Sequence, residues 1–120
     1  MIGPINIYEK EKIINLPMGV YDVYLLGGWY VDLLSFNFLL SKINGEEVIK
    51  PEETTLKSQS YYKRKRAKKI FSFSVNRGGN YKIEFKGQNS LILRKQSLII
   101  GYLFGKNIET NSIEIFIERN

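Results

Sequence analysis

Phe71-Ser72-Phe73-Ser74-Val75-Asn76-Arg77-Gly78-Gly79-Asn80-Tyr81-Lys82-Ile83-Glu84-Phe85-Lys86 decides the fold class of this chain. Phe71, Phe73 and Val75 alternate with Ser72, Ser74 and Asn76. Beyond the glycines, Tyr81, Ile83 and Phe85 alternate with Lys82, Glu84 and Lys86. Successive strand side chains point to opposite faces, so each run has one apolar and one polar face. Gly78 and Gly79 tolerate the positive φ of a tight turn, and the spacing predicts a β-hairpin.

The segment entering that hairpin is Tyr61-Tyr62-Lys63-Arg64-Lys65-Arg66-Ala67-Lys68-Lys69. The whole chain has 18 basic and 12 acidic residues, a formal charge of +6, and six of the basic residues lie in 61–69. Without them the two signs balance. The basicity is local, and any argument for an anionic partner rests on this segment.

Outward from the centre, strand patterns recur. Residues 4–8 alternate weakly. Ile13 to Leu16 is a short apolar run that stops at Pro17, which predicts an edge or a strand end. Pro17-Met18-Gly19 reads as a turn, and Val20 to Leu26 as a strand. Residues 29–43 carry two periods. Trp29, Leu33, Phe36, Leu40 and Ile43 step by four and three, as on a helix. Leu34, Phe36, Phe38 and Leu40 alternate, as on a strand. The Phe, Ile and Val content and the β-like neighbours favour strands, with a bulge near Leu33 and Leu34. Asn44-Gly45 is a hairpin signal. Residues 51–60 are polar and read as a long surface loop. Gly87-Gln88-Asn89 is a further turn, Ser90 to Ile100 one bent strand or two, and Ser112 to Glu118 a last strand. No internal repeat is visible.

A chain of 120 residues with 43% hydrophobic residues suits one domain over 1–120 with its own core. Strands every 8–12 residues predict a single all-β domain, an antiparallel β-sandwich or jelly roll of about 7–9 strands. A strand at each end suits a sandwich whose termini pair. A barrel is the alternative.

Residues 78–100 resemble the closing part of a GOLD domain, a β-sandwich of Golgi trafficking and lipid-transfer proteins. Gly79, Tyr81, Phe85, Asn89, Ser90 and Lys95 occupy compatible places in that pattern. The Pro before the turn Gly and the acidic residue before Asn are missing. The resemblance implies a protein- or lipid-interaction module and carries over no catalytic residue.

The chain has no His and no Cys. That removes the Ser-His-Asp triad, Cys nucleophiles and ordinary zinc sites. The acids show no spacing that pairs two of them for catalysis, and Glu46, Glu47, Glu52 and Glu53 lack a calcium-loop spacing. The sequence predicts no enzyme activity, no cofactor and no metal. It shows no signal peptide and no apolar run long enough for a membrane helix, so a cytoplasmic location is expected.

Two sets of side chains are candidates for binding. Lys63, Arg64, Lys65, Arg66, Lys68 and Lys69 could neutralise phosphates of a nucleic acid or an acidic membrane, with Tyr61 and Tyr62 stacking on bases. The bland alternative is a solvated loop, or an edge strand whose cations discourage pairing. Trp29 and Tyr30 could form an aromatic platform for a sugar or a partner's pocket, against the alternative of core packing. The expected function is non-enzymatic binding of another protein, with polyanion or carbohydrate binding behind it.

Overall fold

The structure is a computed structural model that describes residues 2–9, 11–26, 30–33, 35–54, 59–62, 65–88, 92–94 and 113–120. The described residues form twelve strands: β1 Ile2–Asn6, β2 Lys12–Leu16, β3 Gly19–Leu26, β4 Tyr30–Asp32, β5 Asn37–Lys42, β6 Val48–Ile49, β7 Glu52–Glu53, β8 Gln59–Tyr62, β9 Lys65–Val75, β10 Gly79–Lys86, β11 Ile92–Arg94 and β12 Glu114–Arg119. One sheet has the path β1-β12-β3-β9-β7, with β8 also pairing β9, and the other has the path β2-β10-β5-β6. All pairings within these sheets are antiparallel. The two paths, of five and four strands, make a β-sandwich, as the alternation predicts. A separate ribbon joins β4 to β11. The terminal strands pair, with Ile2 opposite Ile117 and Ile5 opposite Ile115.

The inner faces supply the core. Tyr21, Val23 and Leu25 of β3, Phe71, Phe73 and Val75 of β9, and Ile115 and Ile117 of β12 face Ile14 and Leu16 of β2, Phe38 and Leu40 of β5, and Tyr81, Ile83 and Phe85 of β10. Phe38 sits edge-on to Phe71 at 5.5 Å and to Phe73 at 6.2 Å, across the two sheets. A smaller cluster of Leu26, Ala67 and Phe116 lies apart, with Tyr24 stacked on Phe116 at 4.8 Å.

The predicted hairpin of residues 71–86 does not form. β9 pairs with β3 in one sheet, and β10 pairs with β2 and β5 in the other. The chain crosses between sheets at 76–78 instead of folding back in one. β2 and β3 do the same across Pro17 and Met18. The two corners lie side by side, because Leu16 is opposite Gly79 below the bend and Gly19 is opposite Val75 above it. One long two-stranded ribbon therefore bends over the core.

This ribbon relates the two sheets by a pseudo-two-fold. Tyr21 is opposite Phe73 on one side and Arg119 on the other, while Tyr81 is opposite Ile14 and Lys42. Val23 is flanked by Phe71 and Ile117, and Ile83 by Lys12 and Leu40. So β3 corresponds to β10, β9 to β2 and β12 to β5. Each corner has a glycine at the equivalent place, and a Cβ there would meet only a long side chain, Arg119 Nε at 2.7 Å from Gly19 and Lys42 Cε at 3.1 Å from Gly79.

Two other expectations hold with changes and one is corrected. The strand reading of 29–43 holds over the described residues as β4 and β5, but the expected bulge is replaced by a turn in which Phe36 N–H donates to Leu33 O at 2.8 Å. The polar stretch 51–60 is not one loop: Glu52 and Glu53 pair with Ser72 and Phe71, and Gln59 and Ser60 begin β8. The hairpin at Asn44-Gly45 forms, with Asn44 at φ 58°, but Lys42 N–H donates to Glu47 O, so its loop is wider than two residues. Readings that fall on 95–112 lie outside the described residues.

Candidate functional site

The basic segment is a β-hairpin. Tyr62 is opposite Lys65, Tyr61 opposite Arg66, Ser60 opposite Ala67 and Gln59 opposite Lys68. Lys63 and Arg64, between the two strands in sequence, lie outside the described residues. Lys68 and Lys69 are opposite Leu25 and Tyr24 on the inner flank of β9. Adjacent strand residues point to opposite faces, so these two cations diverge. Lys69 Nζ lies 3.1 Å from Asp22 Oδ1, both partly buried. The charge of Lys69 is thus compensated within the fold.

A bulge sets this arrangement. Val23 is opposite Phe71 but Tyr24 is opposite Lys69, so Ile70 is the extra residue of β9. Thr54 caps it from β7, its N–H donating to Ile70 O at 3.0 Å and its hydroxyl to Lys69 O at 3.2 Å. Ile70 and Phe71 are both buried in the main core. Lys69 falls on the face of Asp22 and Tyr24. Burial raises the Tyr24 phenol above its ordinary value, and Asp22 and then Glu118 push the same way against Lys69.

The aromatic pair is not brought together as a site by the described residues. Tyr30 lies in β4 opposite Arg94, and Trp29 lies outside the described residues. Among the described residues no group of three or more acids could hold a metal ion, and no helix is long and apolar enough to cross a membrane.

The sheet edges were not read from sequence as a site, apart from the edge position of β2. β1 carries Pro4, which has no N–H to donate, and its register breaks between Ile2 and Ile5. β6 has two residues and closes near Pro51. β7 has two residues, both Glu. β8 has four residues and is followed in sequence by Lys63 and Arg64. These are the devices by which proteins blunt an edge. β2 differs: it has five residues, no internal proline and an unbroken register with β10 from Lys12 to Leu16. Its Ile13 is 61% exposed. Beside it, Lys82 Nζ is shared by Glu11 at 3.5 Å and Glu84 at 3.1 Å. The chain matches no protein-family profile, no curated protein and no solved structure.

Proposed function

We propose that this chain is a non-enzymatic β-sandwich module that binds another protein. The observation that carries the reading is the regular edge of β2, uncovered among the described residues, with its exposed Ile13. An open strand edge offers a row of backbone donors and acceptors to an incoming strand, and side-chain contacts on alternate positions give selectivity. The lack of His and Cys and the GOLD-type resemblance of 78–100 support a binding role over a catalytic one. A pull-down at moderate salt tests it with two variants. Ile13→Lys adds a charge at the edge and should remove retained proteins, while Lys65→Glu/Arg66→Glu should keep them. The opposite pattern would falsify the reading.

The basic hairpin supports a second reading, polyanion binding. Its register sets Lys65 opposite Tyr62 and Arg66 opposite Tyr61, and Lys63 and Arg64 stand between them in the sequence. Affinity for a nucleic acid or an acidic vesicle should then fall steeply with salt. It should vanish when those four cations become Glu; binding that persists in that variant removes this reading.

A further inference from the structure

The pseudo-two-fold shows what fits the open edge. β2 occupies the place in its sheet that β9 occupies in the other. Leu16 corresponds to Val75, Ile14 to Phe73, Ile13 to Ser72 and Lys12 to Phe71, because each pair faces equivalent residues of β10 and β3. The outer flank of β9 is filled by β7, antiparallel, with Glu52 opposite Ser72 and Glu53 opposite Phe71. Among the described residues no strand covers the equivalent flank of β2, which ends its sheet. A strand placed there as β7 is placed on β9 would put the counterpart of Glu52 opposite Ile13 and that of Glu53 opposite Lys12.

The charge at that position is complementary. Among the described residues Lys12 is in no ion pair, whereas the neighbouring Lys82 is held by Glu11 and Glu84. Residues directly opposite in an antiparallel pair share a face, and opposite charges there attract. A carboxylate in the place of Glu53 would meet the Lys12 ammonium. A second β2 supplies none: antiparallel pairing centred on Ile13 or Ile14 sets Lys12 against Ile14 or Leu16. Lys12 also disfavours cationic edges, which narrows the choice of partner.

We infer that β2 accepts, by antiparallel strand addition, an extended acidic segment of a partner protein, with a carboxylate opposite Lys12 and an apolar or branched residue able to pack beside Ile13. This rests on the reading of the β2 edge as the binding surface, and it adds the partner's chemistry and register.

The test uses the full chain and two synthetic strand-forming peptides, one alternating Glu with Val and one alternating Lys with Val. Hydrogen exchange locates binding, and fluorescence anisotropy measures it. The acidic peptide should bind, slow exchange at residues 12–16, and weaken as salt rises. Lys12→Glu should cut its affinity about fivefold or more and bring the two peptides closer together. Equal binding of both peptides with protection at 12–16 overturns the acidic chemistry and leaves the edge reading standing. Binding with protection elsewhere, or no binding, overturns both. A chain that is dimeric by light scattering, with 12–16 protected in the dimer, gives the edge to a second copy and overturns the inference.

Discussion

Tyr21 and Tyr81 make the same bond from two different sheets. Tyr21 donates its hydroxyl to Pro17 O at 2.6 Å, and Tyr81 donates to Arg77 O at 2.7 Å, each reaching four residues back across a corner. Both rings are buried, at 2% and 1% exposure. Each phenol thus ties the first strand residues after the bend to the chain before it. The corner is where the backbone leaves one ladder for another, so carbonyls there lack sheet partners, and a buried carbonyl without a donor is costly.

Tyr21→Phe and Tyr81→Phe should each cost about 1 kcal/mol, because the ring stays and the donor goes. Urea unfolding of the two variants measures this. Similar losses are expected, since the two corners are equivalent. A loss confined to one variant would show that the pseudo-two-fold is geometric only and not energetic.

The same residues show where the sequence was readable. Period-two alternation marks β10 and β12 because each has a face on the core and a face away from it, while β3 reads as a strand from its β-branched and aromatic residues. It cannot say which strand lies alongside. Gly78-Gly79 marks a change of chain direction, and that signal serves a hairpin and a sheet-to-sheet corner equally. The equivalence of the two corners was hidden because a Gly and a Tyr two residues later are almost all that the halves share in sequence: Gly19 and Tyr21, Gly79 and Tyr81. Leu16 and Val75 or Ile13 and Ser72 match in position but not in type. β7 was missed because Glu52 and Glu53 have no period and no apolar residue. Their pairing comes from the free flank of β9, a tertiary cause. The basic segment was legible as an edge strand or a loop; the pairing of Lys69 with Asp22 needed the bulge at Ile70, which nothing local announces.

Gly87 should tolerate no side chain. Its φ is 72°, and a Cβ would run into the backbone oxygen of Ser35 in the turn between β4 and β5. Left-handed geometry alone costs an L-residue about 1–2 kcal/mol. The clash is with backbone, which cannot swing aside as a side-chain tip can. Gly87→Ala should therefore cost more than about 2 kcal/mol by thermal or urea unfolding. A near-neutral result would show that the approach of 87 to 35 relaxes without consequence.

Phe38 joins the sheets. It is fully buried and touches Phe71, Phe73 and Phe85 at centroid distances of 5.5, 6.2 and 6.0 Å. Truncation leaves a void that three rings cannot all close. Phe38→Ala should cost about 3–5 kcal/mol, and Phe38→Leu markedly less because it keeps most of the volume. Tyr30 makes a useful control: if it belongs to a binding surface and not to the core, Tyr30→Ala should leave the unfolding midpoint nearly unchanged.

The pH response follows from Tyr24 and Tyr81. Burial raises both phenols above the ordinary 10.0, with Asp22 and Glu118 adding to the rise at Tyr24 and Glu47 at Tyr81. In the unfolded chain these phenols ionise near their ordinary value, so above it the folded state holds more protons. Stability then falls as pH rises. The contribution is whole below pH 10.0 and is lost as pH climbs toward the raised folded values. Tyr81→Phe should flatten that alkaline decline after its fixed cost at neutral pH is subtracted. Asp22→Asn isolates the local field. It removes a charge that raises Tyr24, so the Tyr24 titration followed by ring-carbon NMR should move down. It also leaves Lys69 without the carboxylate at 3.1 Å, and because that pair is only partly buried the cost should be about 1 kcal/mol at neutral pH. An unmoved Tyr24 titration would mean that solvent screens Asp22 and that burial, with Glu118, holds the phenol neutral.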